Sequence, residues 1–385
     1  MRPIVRSAQI LLLIIAVLLS SYAWADTMPK RTFIAREGKG YLEKVGTQLV
    51  LHLKGNPTEM GRQHGVLLKE HIQSNLKRLD KDFASTTGEA AASRLALADS
   101  VWDLQLPYIP ERYIDELRAL ANGADVPFDQ ARRCNIVPEF FHCSGFALFG
   151  KATKDGNLRH GRILDYAVNL GLQDHSVVII AEPDGYAPFV NVSFAGFIGS
   201  VTGMNLNGMA FGELGGGGYG QWDGTPMSVL MRRGLEEAKT LEQAKTLFQN
   251  SKRTCRYFYV ISDSNIPSAV GVTATPDKIE FLEPNEAKEP LNVPIKDAVV
   301  FSADERYKEL TKRINEKWGS LDDASCLKLM DRPVSMQSCL HCVLMSPKTK
   351  ELWVANAASN GAPASEQPYT YLNIAELMAH EPPTP

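Results

Sequence analysis

The residues that could carry out chemistry gather around Cys143. It sits in the run His142-Cys143-Ser144-Gly145-Phe146, and a second run, Gly161-Arg162-Ile163-Leu164-Asp165-Tyr166, follows shortly after. A cysteine nucleophile needs a base to take its proton. Two kinds of base are open. One is an imidazole, for which His160 and His341 are available, although the C-G-[SA]-C-[WY] setting of papain-like cysteines is absent. The other is the cysteine's own α-amine, exposed if the His142–Cys143 bond is cut. Such an amine has a reference pKa of ~7.7–8.0, suited to accepting a thiol proton near neutrality. A carboxylate such as Asp165 would hold and orient its ammonium form. Arg162 would steady the site or bind an acyl or carboxylate group. The structural alternatives are a small buried cysteine at a strand start and an ordinary Arg–Asp salt bridge.

These residues need a rigid hairpin. Phe146–Phe149 is β-like, Asp155-Gly156 is a hairpin turn signal, and Leu158–Tyr166 reads as the return strand. Short strands follow at 176–180, 189–192 and 209–211, with turns at Pro183-Asp184-Gly185 and Asn205–Gly208. Two helices are expected at 226–238 and 241–250, then strands at 257–261, 269–272 and 278–282. Helices at 306–316 and 324–330 precede strands at 340–345 and 351–355. Before Cys143 the pattern is mainly helical, at 58–79, 90–106 and 110–121, after a short β-like start at 48–53. Strand runs separated by helix pairs indicate an α+β layered fold. No internal repeat is visible. The tail at 381–385 is expected to be disordered.

The first 25 residues read as an address. Arg2 and Arg6 precede the apolar run Ile10–Leu19, and Ala23-Trp24-Ala25 is a small-x-small cleavage site, so a signal peptide cut before Asp26 is expected. A membrane anchor is the alternative, but a span needs ~20 apolar residues, about twice this run. The mature chain is then expected to be exported, most simply to a bacterial periplasm, with no stable membrane anchor. Lys plus Arg number 41 and Asp plus Glu 44, a net charge of −3 over 385 residues, so no electrostatic footprint for nucleic acid is present. Six cysteines allow some pairing in an oxidising compartment. Cys339-x-x-Cys342 looks like half of a redox or zinc motif but lies in a buried-strand pattern, without a second C-x-x-C, so no metal is expected. Gly215–Gly220 matches G-x-G-x-x-G, yet the next helix starts only after Pro226, so it reads as a loop and no cofactor is expected.

The motifs resemble the acyl-coenzyme A:isopenicillin N acyltransferase family of N-terminal-nucleophile (Ntn) hydrolases, with choloylglycine hydrolases and acid ceramidases as wider relatives. Three blocks carry the resemblance and cover most of the chain. They are Glu59–Gly65 with Leu117–Gly123, then Cys143-Ser144 with Gly161–Asp165, then Gly196–Gly208. The resemblance implies a four-layer αββα sandwich with a mainly helical N-terminal pro-segment. It implies self-cleavage between His142 and Cys143, dividing the chain into leader 1–25, α fragment 26–142 and β fragment 143–385 that stay associated. It gives Arg162 and Asp165 the family's Arg and Asp roles. The chain departs from the pattern at Ile163, where Asn is usual, and its hairpin is about three residues longer. Glu213 resembles a glutamate of the ceramidase branch. Where a late Asn is usual, the sequence has Ser302-Ala303-Asp304, so Ser302, Asp304 or backbone amides are left as oxyanion donors.

The resulting expectation is an exported, self-processing amidohydrolase cleaving a linear C–N amide of an N-acyl small molecule through a thioester. The alternatives are an acyltransferase that passes the acyl group to an amine, an inert ligand-binding relative, and an unprocessed Cys–His hydrolase.

Overall fold

The computed structural model describes residues 27–84, 89–136, 142–286 and 293–382. The expected leader at 1–25, with its cleavage site, and residues 383–385 of the expected disordered tail lie outside the described residues. Among the described residues no helix is long and apolar enough to cross a membrane.

Three strands open the chain: β1 (Arg31–Glu37), β2 (Gly40–Val45) and β3 (Gln48–Gly55). Five helices follow: α1 (Pro57–Leu67), α2 (Lys69–Ala84), α3 (Glu89–Gln105), α4 (Glu111–Gly123) and α5 (Phe128–Cys134). Then come β4 (His142–Leu148), β5 (Arg159–Asp165), β6 (Ser176–Pro183), β7 (Phe189–Phe194), β8 (Thr202–Asn205) and β9 (Met209–Gly215). A helix pair, α6 (Met227–Glu237) and α7 (Leu241–Asn250), leads to β10 (Tyr257–Asp263), β11 (Ser268–Ala274), β12 (Ile279–Leu282) and β13 (Ala298–Phe301). The chain closes with α8 (Asp304–Lys317), α9 (Asp323–Leu329), β14 (Cys339–Ser346), β15 (Glu351–Asn356), β16 (Thr370–Asn373) and α10 (Ile374–Ala379).

The strands make two sheets. One has ten strands in the order β1-β2-β3-β6-β7-β8-β9-β10-β11-β12, and the other six in the order β13-β4-β5-β14-β15-β16. Every pairing is antiparallel except β3 with β6, where Leu51 stands beside Ile179. The α1, α6 and α7 helices pack on the ten-stranded sheet, and α8, α9 and α10 on the six-stranded one, which makes four layers, helix–sheet–sheet–helix. The continuous apolar run of β6 follows from this. Val178 and Ile180 face the second sheet, while Val177, Ile179 and Ala181 face the helix layer, so both faces are buried.

The β-like start expected at 48–53 is β3, and it is preceded by two further strands, so residues 31–55 give three strands of the larger sheet before the helices begin. The first of these was hard to read because every second side chain of β1 is exposed. The α1 helix starts on a capping box. Asn56 Oδ1 accepts from the Glu59 N–H at 3.0 Å and Glu59 Oε2 accepts from the Asn56 N–H at 2.9 Å, with Pro57 in the first turn. Helices α1 and α4 touch backbone to backbone. A Cβ at Gly61 would fall on the Glu116 carbonyl oxygen, and one at Gly65 on that of Leu120. The glycines of Glu59–Gly65 thus permit this crossing. The glycine-rich run after β9 opens no helix; α6 begins at Met227.

Candidate active site

The β4–β5 hairpin sets the geometry. Cys143 lies opposite Leu164, Gly145 opposite Arg162 and Ala147 opposite His160. Residues two apart on a strand share a face, so Cys143, Arg162, Leu164 and His160 all belong to the face turned toward the ten-stranded sheet. That sheet gives way at Gly212 of β9, where a Cβ would come within 3.0 Å of both Arg162 Cδ and His160 Nε2.

Cys143 is buried, and burial pushes its thiol up to about 12. The nearby guanidinium of Arg162 opposes that shift, while Glu213 and Asp165 add to it. Arg162 is wholly buried, and its Nη2 donates to Glu213 Oε2 at 3.4 Å. Its Nη1 donates to the Ile163 carbonyl, and its Nε has no hydrogen-bond partner among the described residues. A thiol at this pKa is protonated near neutral pH, so it needs a base at close range.

Neither histidine supplies one. His160 lies four residues along the hairpin from Cys143, about 13 Å at strand spacing, and its Nδ1 bonds Ser262 Oγ at 2.8 Å. His341 of β14 stands opposite Leu164 on the side away from Cys143, two strand spacings or about 10 Å from it. Its Nε2 bonds Thr202 Oγ1 at 2.9 Å, and its ring stacks on Phe194.

Asp165 ends β5 opposite His142, the residue whose carbonyl carbon is joined to the Cys143 nitrogen. A free amine at Cys143 would stand one residue from this carboxylate. Oδ1 of Asp165 accepts from the Met336 N–H at 2.8 Å, and Oδ2 accepts from Arg306 Nη1 at 2.6 Å. Burial raises the carboxyl's pKa, against which the Met336 N–H, Arg306 and Arg162 all pull. Arg306 was not visible as a site residue. It comes from α8, 141 residues away in sequence, within an ordinary Asp-Glu-Arg helix start.

The other expected residues separate. Glu213, fully buried in β9, joins the site through Arg162. Ser302 follows β13, and its hydroxyl lies 2.6 Å from that of Ser144, next to the nucleophile in sequence. Asp304 is exposed at the first turn of α8 with φ of +49°, and its nearby charge is Lys308 rather than the thiol. The physical reason is the helix itself: starting α8 at Asp304 brings Arg306, two residues on, to the site instead.

Beside Leu164 lies an apolar cavity of about 60 Å³. Leu164, Phe194, Phe197 and Leu340 line it from the sheets and loops, and Leu79 and Cys134 from the helices before Cys143.

The family model described as acyl-coenzyme A:6-aminopenicillanic acid acyl-transferase matches residues 154–289, the stretch that holds Arg162, Asp165 and Glu213. That match covers about a third of the chain and marks a similarity to this family. Protein dcd1B of Dictyostelium discoideum is 22% identical to this chain over 92% of the chain and 80% of its own length. Acid ceramidase of Balaenoptera acutorostrata scammoni is 24% identical over 51% of the chain, and the chain spans 55% of that ceramidase. An N-acylethanolamine-hydrolyzing acid amidase ortholog of Caenorhabditis elegans superposes with a TM-score of 0.45 at 16% identity, covering 53% of the chain and 93% of the amidase. The family match begins eleven residues after Cys143 and does not include it.

Proposed function

We infer that the chain is an exported, self-processing enzyme whose N-terminal cysteine hydrolyses a linear N-acyl amide. The similarity to the acyl-transferase family model and to acid ceramidases supports an enzyme of the amidohydrolase and acyltransferase class. The observation that carries the finer reading is the placement of Cys143. Its thiol has a buried guanidinium beside it, His160 and His341 both out of reach, and a carboxylate opposite the preceding residue. That arrangement lacks a base until an α-amine is made at Cys143.

Processing would run as follows. Cys143 Sγ attacks the His142 carbonyl carbon, the C–N bond breaks as the Cys143 nitrogen takes up the thiol proton, and a thioester to His142 remains. Water hydrolyses the thioester, returning the thiol and leaving a carboxylate on His142 and a free amine on Cys143. In turnover the amine accepts the thiol proton, Sγ attacks the amide carbonyl, and the amine half of the substrate leaves with that proton. Water then hydrolyses the thioester, releasing the carboxylic acid and returning the thiol. Arg162 offers positive charge at the developing oxyanion. Asp165, anchored by Arg306 and Met336, holds the ammonium form of Cys143. The cavity beside Leu164 takes the first carbons of the acyl chain.

The α and β fragments, 26–142 and 143–385, would stay together. Glu116 of the first is paired with Arg232 of the second at 3.0 Å, both nearly wholly buried. Because the matched family is described as an acyl-transferase, transfer of the acyl group to an amine is the second reading. Product whose yield rises with added amine would favour it.

The intact mass of the purified mature chain tests the reading. Scaling 42.5 kDa by length, the fragments are about 13 and 27 kDa, the larger beginning at Cys143. A single chain of about 40 kDa would leave Cys143 without its amine and overturn the self-processing mechanism.

A further inference from the structure

Cys339 and Cys342 have no part in the mechanism above, yet the fold brings them together in an uncommon way. Residues three apart on a regular strand point to opposite faces. Here β14 carries a bulge: Cys339 pairs with Asp165 while His341 pairs with Leu164, so two steps on β14 match one on β5. The extra residue, Leu340, turns Cys339 back to the face of Cys342. The two sulfurs lie 3.4 Å apart, both completely buried, and the Cys339 thiol also donates to the His341 carbonyl at 3.5 Å. The Tyr369 hydroxyl lies against Cys342. Among the described residues no group of three metal-ligating side chains forms.

We propose that Cys339 and Cys342 are joined by a structural disulfide that staples the β14 bulge. The sulfurs need to close by about 1.3 Å to reach the ~2.05 Å of an S–S bond. The electrons go to a disulfide of the thiol-exchange class, carried by a protein or a small molecule. One cysteine thiolate attacks that disulfide and releases one partner thiol. The second cysteine then attacks the mixed disulfide and releases the other, so two cysteine thiols are oxidised and one disulfide is reduced. The folded pair is sealed from solvent, so this exchange takes place while β14 is still uncovered.

The staple has a target. The chain just before it holds the carboxylate of the site: the Met336 N–H donates to Asp165, the Tyr166 N–H donates to the Ser338 carbonyl at 3.0 Å, and the Cys339 N–H donates to the Met336 carbonyl at 3.2 Å. Fixing the bulge fixes that segment, and with it Asp165.

The test is thiol counting on the full chain secreted into an oxidising compartment, denatured in an alkylating reagent without reductant. The expected result is a tryptic peptide holding both Cys339 and Cys342, unlabelled and lighter by two hydrogens than its reduced form. Label on both sulfurs, or a bond from either to another cysteine such as Cys143, overturns the proposal. If the chain stays in the cytosol, the leader reading has failed instead, and the same count on protein folded in a glutathione redox buffer decides the pairing. Processing tests the functional reading separately. The Cys339→Ser/Cys342→Ser double variant should unfold at lower urea and process more slowly, whereas an unchanged urea midpoint would remove the staple.

Discussion

Arg162 and Glu213 meet across the gap between the two sheets, with Nη2 and Oε2 3.4 Å apart and neither side chain exposed. The pair ties the nucleophile hairpin to β9 and fixes the guanidinium beside the Cys143 thiol. Removing one member of a buried ion pair strands the other, at a cost of about 3–5 kcal/mol. Glu213→Gln should therefore lower stability by about 3 kcal/mol and reduce turnover more than substrate affinity. Urea unfolding and steady-state kinetics read both, and a variant with wild-type stability would show that the pair contributes little.

Cys143→Ala should remain one chain and be inactive. A Cys143→Ala protein that is nonetheless cut at His142 would show that another group performs the cleavage.

Arg306 sets the position of Asp165, to which it donates at 2.6 Å. Asp165→Asn should slow both processing and turnover. Arg306→Ala should do so too, with Arg306→Lys recovering part of the loss, because one charged hydrogen bond to Oδ2 can be remade. Processing half-times followed by mass spectrometry check this. Equal rates in Arg306→Ala and wild type would confine Arg306 to a packing role.

Acid should destabilise the fold through its buried histidines. Burial, with Arg232 beside His64 and Arg162 beside His160, pushes each ring down to about 3. In the unfolded chain each takes a proton near ~6.5. These are bases with depressed folded pKa values, so stability is full above ~6.5 and falls as the pH drops toward 3. At about pH 5 the loss is about 2 kcal/mol per ring. His64 accepts from the Gly196 N–H at 3.2 Å, and His64→Gln keeps an acceptor there. That variant should show a shallower fall of the urea midpoint between about pH 7 and 5, by about one proton. An unchanged slope would mean His64 titrates normally.

Gly61→Ala would place a methyl on the Glu116 carbonyl of α4, which is backbone and cannot swing aside. A loss of at least ~1–3 kcal/mol is expected by chemical denaturation. A neutral result would mean that α1 and α4 slide easily.

Much of this site could be read before the fold was known, for local reasons. The strand patterns on either side of Asp155-Gly156 put Cys143 and Arg162 on neighbouring strands, but the register that sets Arg162 opposite Gly145 comes from the longer connection 149–158 and not from a two-residue turn there. Arg306 stayed hidden because only the packing of α8 on the six-stranded sheet brings it to Asp165. Asp304 looked suitable by analogy with a late Asn, but the helix begins there and turns its side chain to solvent. Of the first three strands only β3 was legible; β1 offers little apolar signal, with half-buried and exposed side chains alternating along it. The break at Leu68 between α1 and α2 was missed because apolar spacing continues across it, while Leu68 ends the first helix as its C-cap.

The parallel pairing of β3 with β6 has a consequence for refolding. The strands before Cys143 form one end of the larger sheet and join the rest of it through six residues of β3 running beside six of β6. While the chain is whole, that seam closes at the cost of one loop. After a cut before Cys143 the same seam would have to form between two molecules. Recovery of the processed protein from denaturant would then depend on concentration, whereas the uncut Cys143→Ala chain would refold at a rate independent of it.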